Sequence, residues 1–109
     1  MAKTINVKYQ DKEYVLEFTR KSIEKLENSG FRVSDIDSKP ISTLPRLFYG
    51  AFLAHHPYIK KDLTDEIFSN MTNKEDLLGK LAEMYSEPIT ALVEDPEVNE
   101  GNASWGASW

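Results

Sequence analysis

Between Leu44 and Tyr58 the chain carries a single charged residue, Arg46, and this constrains the fold more than any other feature. Leu44, Leu47, Phe48, Ala51 and Phe52 recur at helical spacing, while Tyr49, Leu53 and Ala54 fall outside that stripe. A helix apolar nearly all round must be covered on several sides, by its own domain or in part by a partner. Ser42 and Thr43 precede Leu44-Pro45, and proline is tolerated in a first turn, where its missing N–H has no partner to lose. A central helix from Thr43 to His56 is therefore predicted. The 109 residues suffice for one core around it and not for two domains.

The segments that cover it have readable periods. Ile5, Val7 and Tyr9 alternate with polar neighbours, and Tyr14, Leu16 and Phe18 do the same beyond Gln10-Asp11-Lys12, so an N-terminal β-hairpin turning at Asp11 is expected. Thr19 is placed to cap a helix from Arg20 to Ser29, whose core face is Ile23 and Leu26. Gly30 stands where a left-handed stop is wanted, with Phe31 returning onto Leu26. Residues Arg32 to Pro40 read as a loop or a short extended segment. Ile59, Leu63, Ile67 and Met71 recur every four residues along a surface helix. Thr72 and Glu75 have capping-box spacing before a face of Leu78, Leu81, Tyr85, Ile89 and Leu92. Pro88 predicts a kink there, or two short helices with Ser86 capping the second. The expected fold class is α+β and mostly helical: a hairpin packed on four or five helices over residues 1–93, followed by a flexible acidic tail over 94–109.

Charge and composition exclude several classes. The net charge is −5, but Glu94, Asp95, Glu97 and Glu100 carry most of it, leaving the first 93 residues at −1. A nearly neutral body argues against nucleic acid or anionic lipid as a partner, and the short basic pairs Arg20-Lys21 and Lys60-Lys61 have no interleaved aromatics. No cysteine is present, no apolar run reaches membrane-spanning length, and the N-terminus has no signal-peptide pattern. Phosphate-binding glycine loops and the nucleophile-elbow motif are missing from the sequence.

His55-His56 is the one pair that suggests a metal or a general base. Adjacent helical residues point about 100° apart and so do not share one ion. A structural role, closing the end of the apolar helix before Pro57, is the expectation, with a small enzyme or metal protein built on the two imidazoles as an alternative. No cofactor or catalytic residue is assigned. The tail holds a different oddity: Ala-Ser-Trp occurs twice, ending at Trp105 and Trp109. Large aromatics in an acidic segment suit a recognition motif, though docking back on the same domain, or a remnant of the reading frame, would also account for them. The candidate partner-binding residues are Phe48, Tyr49, Phe52, Leu53, Tyr58, Tyr85, Trp105 and Trp109. Phe48 and Phe52 are also the residues expected to face the core.

The stretches Lys12 to Lys21, Glu24 to Phe31, Leu44-Pro45, Gly50-Ala51-Phe52-Leu53-Ala54-His55-His56-Pro57, and Glu83-Met84-Tyr85 with Glu87-Pro88-Ile89 together resemble small proteins of long-tailed phages and prophages of Gram-positive bacteria that look like tail assembly chaperones. The resemblance spans about Ile5 to Val93, with Gly-Ala-Phe-Leu-Ala-His-His-Pro its most specific part. It implies a non-enzymatic protein of the host bacterial cytoplasm, and the near-neutral body with its over-hydrophobic helix separately suggests a homo-oligomer. Such a protein coats the tape measure protein until tail tube subunits polymerise round it, and a frameshifted longer form recruits those subunits. The tape measure protein is then the principal partner, with tail tube protein a second. A structural tail component retained in the virion is the alternative within the same setting.

Overall fold

The computed structural model of the chain describes residues 3–94 and 101–109. In chain order the elements are β1 (Ile5–Tyr9), β2 (Lys12–Leu16), α1 (Arg20–Asn28), α2 (Asp35–Ser38), α3 (Pro40–Phe52), α4 (Lys61–Ser69) and α5 (Lys74–Val93). The fold is α+β and mostly helical, with an N-terminal hairpin, as the periodicity predicted. Of the tail expected over 94–109, Glu94 and residues 101–109 are described. The intervening acidic stretch at 95–100 lies outside the described residues.

β1 and β2 pair antiparallel with Ile5 opposite Leu16, Val7 opposite Tyr14 and Tyr9 opposite Lys12. This register leaves a two-residue loop, and Gln10 and Asp11 both take positive φ, 49° and 63°, the pattern of the tight hairpin turn whose twist matches the strands. Asp11 tolerates that conformation readily, and Gln10 is carried into it by the register. The outer edge of β2 is tied to the end of α3. Glu17 N–H donates to Ala51 O at 2.9 Å, and Val15 N–H donates to His56 Nε2 at 3.1 Å. Edge amides that would otherwise offer themselves to another strand are thereby used inside the fold.

α1 begins with a reciprocal cap: Ser22 N–H donates to Thr19 Oγ1 and Thr19 N–H to Ser22 Oγ. It ends in a Schellman pattern, with Gly30 at φ 98°, Gly30 N–H donating to Glu27 O and Phe31 N–H to Leu26 O. Arg46, the one charge of α3, reaches Ser29 O at 2.7 Å and Ser29 Oγ at 2.9 Å. A guanidinium at the C-terminal carbonyls of α1 interacts favourably with their partial negative charge and joins the two helices.

α3 packs against β2 and each of the other helices, the central position its composition requires. Phe48, Ala51 and Phe52 are wholly buried, and Phe52 stacks edge-on against Tyr14 and Phe48. The core around them takes Val7, Leu16 and Phe18 from the hairpin side, Ile23 and Leu26 from α1, Ile67 from α4, and Leu77, Leu81, Met84 and Tyr85 from α5.

Several boundaries differ from the sequence reading, among them the end of the central helix, which stops at Phe52, four residues before the expected His56, because the chain there turns back with the His55 and His56 N–H groups both on Phe52 O. α3 starts at Pro40, so Pro40 takes the first helical position and Pro45 lies inside the helix. Pro45 has no N–H to give Ile41 O, but Ile41 is exposed, so that carbonyl belongs to the solvent-facing first turn. The expected loop before it contains the short helix α2, held to α3 by Thr43 Oγ1 donating to Asp35 O. α5 starts one residue later than a Thr72 cap requires, because Asn73 occupies the cap in left-handed conformation, φ 54°, without a side-chain cap bond. Finally, α5 runs unbroken through Pro88 to Val93, and Ser86 Oγ donates to Glu83 O within the helix instead of capping a new one.

Candidate functional site

The two histidines follow directly from the end of α3. His55 and His56 N–H groups both point back to Phe52 O, forming a turn that Pro57 closes. From that turn the rings diverge. His56 Nε2 accepts the Val15 N–H, which requires the neutral ring with its proton on Nδ1, and the ring stands edge-on to Tyr14 with centroids 5.2 Å apart. Desolvation lowers the His56 pKa below its usual value, and the charges of His55 and Lys12 lower it further. His55 Nε2 instead lies 2.7 Å from Glu17 Oε1. Glu17 is distant in sequence, and only the β2 edge bonding to α3 brings it there. Among the described residues no three His, Cys, Asp or Glu side chains group to hold a metal ion, and neither imidazole hydrogen-bonds a hydroxyl group. The pair anchors β2 to α3.

The structure divides the expected partner-binding residues. Phe48, Phe52, Leu53 and Tyr85 are buried and present no surface. The reason is geometric: the second half of α3, from Leu47 to Phe52, is covered by the hairpin, α1, α4 and α5, so its apolar side chains other than Tyr49 are not left for a partner. Burial, and secondly the Glu27 charge, raise the Tyr85 pKa, which keeps the phenol neutral. Tyr49 is half-buried. Tyr58, Trp105 and Trp109 are 95%, 87% and 101% exposed, and these three remain available.

Two surface features take the place of the buried set. The first is an open cleft of about 490 Å³ beside the turn after α3, floored by Tyr14, Ile59 and Leu63 and bounded by Lys12, Tyr58 and Lys60. The second is a groove of about 350 Å³ between α1 and α5, where Ile23 meets Pro88, Ile89 and Leu92 under a rim of Arg20, Glu24 and Glu27. It continues onto the end of α5, where Ile89, Leu92 and Val93 are 46%, 56% and 80% exposed. The period of α5 had marked Ile89 and Leu92 as one face with Leu81 and Tyr85, but not that the core stops at Tyr85. A 20-residue helix is about 30 Å long and outruns the elements that could cover it. No helix is long and apolar enough to cross a membrane among the described residues.

Comparison with known proteins gives one family. The model described as "Domain of unknown function (DUF5055)" matches residues 1–109. No curated protein and no solved structure matches the chain.

Proposed function

The chain belongs to the DUF5055 family, and for this member we propose the role of a tail assembly chaperone of a long-tailed phage or prophage. In this reading it acts in the host bacterial cytoplasm, without catalysis, by binding apolar helical segments of a tape measure protein, with tail tube subunits as a second partner. The observation that supports it is the uncovered apolar face of α5 beyond Tyr85. Ile89, Leu92 and Val93 lie open beside a groove whose floor includes Ile23. A helical client stripe laid along this face would bury apolar surface on both partners, the helix-in-groove mode of recognition.

The chemistry suits a transient coat. The face is small, so each contact is weak, and many copies along one long client would supply the avidity while leaving every contact displaceable. Binding at such a face depends on apolar area, so it should show a negative heat-capacity change and little response to salt.

Co-expression with the tape measure protein is the test. Soluble tape measure protein should rise with the parent chain and fall back with Ile89→Asp/Leu92→Asp, whose exposed positions leave the core untouched and the thermal midpoint within a few degrees of the parent. A client equally soluble without the chain, and no complex on gel filtration, would overturn the reading. Stoichiometric presence in purified particles would point instead to a structural tail component.

A further inference from the structure

We propose that the cleft bounded by Lys12, Tyr58 and Lys60 receives the acidic, tryptophan-bearing segment of a second copy of this chain, joining copies head to tail. The inference is independent of the chaperone reading and concerns a different face of the molecule. Three observations converge on it.

The first is charge. The charge of the cleft comes from Lys12 and Lys60, since His56 is neutral and His55 is held by Glu17, and no carboxylate lines it. Among the described residues neither Lys12 nor Lys60 forms an ion pair, whereas the neighbouring Lys61 is held by Asp65. The chain has no lysine or arginine after Lys80, and Glu94, Asp95, Glu97 and Glu100 precede the two tryptophans. The segment and the cleft are thus opposite in sign, in a body otherwise close to neutral. Complementary charge of this kind steers encounter and fixes which patch meets which.

The second is shape and polarity. Behind the lysines the floor is Tyr14, Ile59 and Leu63, and Tyr58 stands almost wholly exposed at the lip. An indole buries roughly 150 to 250 Å² when enclosed and pairs well with aromatic edges and cationic side chains. Trp105 and Trp109 are exposed in the single chain. Their apolar surface is what the cleft lacks, and the acids before them are what its rim lacks.

The third is placement. Lys3, before the first residue of β1, pairs with Glu83 and Glu87, so the second half of α5 passes by the open end of the hairpin, with Val93 six residues, about 9 Å of helix, beyond Glu87. Lys12 and the cleft lie by the turn, with strands of five residues, about 17 Å, between. The stretch of α5 that leads to the acidic segment thus passes the hairpin at the end away from the cleft, and a surface that meets a different surface of the next copy is a heterologous contact, which repeats from copy to copy.

Sedimentation velocity over a concentration series, with acrylamide quenching of tryptophan emission, tests this on the full chain. We expect concentration-dependent association, with indole protection rising in step and both weakening as salt is raised. Lys12→Glu/Lys60→Glu and Trp105→Ser/Trp109→Ser should each weaken association at least tenfold while keeping the parent's circular dichroism, because all four side chains are on the surface. The deciding measurement mixes the two variants. One retains a good tail and the other a good cleft, so together they should form a single 1:1 complex that grows no further. A strict monomer, association indifferent to either variant, or failure of the mixture to associate would each overturn the proposal. Indole protection that is independent of concentration would overturn it in favour of docking within one chain.

Discussion

Gly50 and Gly79 both lie within helices, and their surroundings make opposite demands. A Cβ on Gly50 would press into the Leu26 side chain, with Leu26 Cγ at 3.2 Å, and Leu26 is itself 1% exposed and cannot swing away. A Cβ on Gly79 would meet nothing within 4 Å. Alanine gains helix propensity of about 0.8 to 1 kcal/mol over glycine at either site. At Gly50 that gain is outweighed by overpacking, typically about 1 to 3 kcal/mol. In urea titrations Gly50→Ala should therefore lower the unfolding free energy, and Gly79→Ala should raise it by roughly 0.5 to 1 kcal/mol. Equal responses would mean that α1 and α3 are not in the contact described.

At the scale of elements, the join between β2 and α3 makes stability depend on pH. His56 accepts the Val15 N–H only when neutral, and its pKa in the fold is lowered by desolvation and by the His55 and Lys12 charges. The unfolded chain, with an ordinary histidine near 6.5, binds the proton more readily than the folded one. Stability from this group is thus complete above that value and is lost as the pH falls below it through the folded pKa. The thermal midpoint should drop on acidification from neutrality. His56→Phe should lower it at neutral pH, by leaving the Val15 N–H without its acceptor, and should flatten the slope; an unchanged slope would remove His56 from the role. The same elements show what the sequence could convey. The hairpin, the Thr19 cap, the Gly30 stop and the central α3 were legible because each is written in local spacing or in a residue with few alternatives. The start of α3 was not, because Pro40 and Pro45 both satisfy the rule for a first turn and only the exposure of Ile41 decides between them. Nor was the Glu17 partner of His55, which is set by pairing between segments far apart in the chain. The buried fate of Phe48, Phe52, Leu53 and Tyr85 as partner residues has the same origin: periodicity tells which side chains share a face, not which element covers it.

For the molecule as a whole, one core joins all the main elements, and neither tryptophan belongs to it. Val7, Leu16, Leu26, Phe52, Ile67 and Leu81 pack in a single cluster drawn from both strands and four helices, so the described body should unfold as one cooperative unit. Trp105 and Trp109 lie outside that cluster and are already in solvent. In solutions dilute enough to be monomeric, two probes of the same denaturant titration should then disagree. Helical circular dichroism should fall in a single sigmoid, while tryptophan emission stays at its water-exposed position throughout. Phe52→Ala removes a ring that contacts Tyr14, Phe48 and His56, and such truncations cost about 3 to 5 kcal/mol. Against a total of roughly 5 to 15 kcal/mol for a domain of this size, that moves the dichroism midpoint far down. The tryptophan signal should be the same for parent and variant at every denaturant concentration. Emission that shifts together with the dichroism in a monomeric sample would mean that the indoles are bound to the body of their own chain, and would remove the exposed tail segment on which head-to-tail assembly depends.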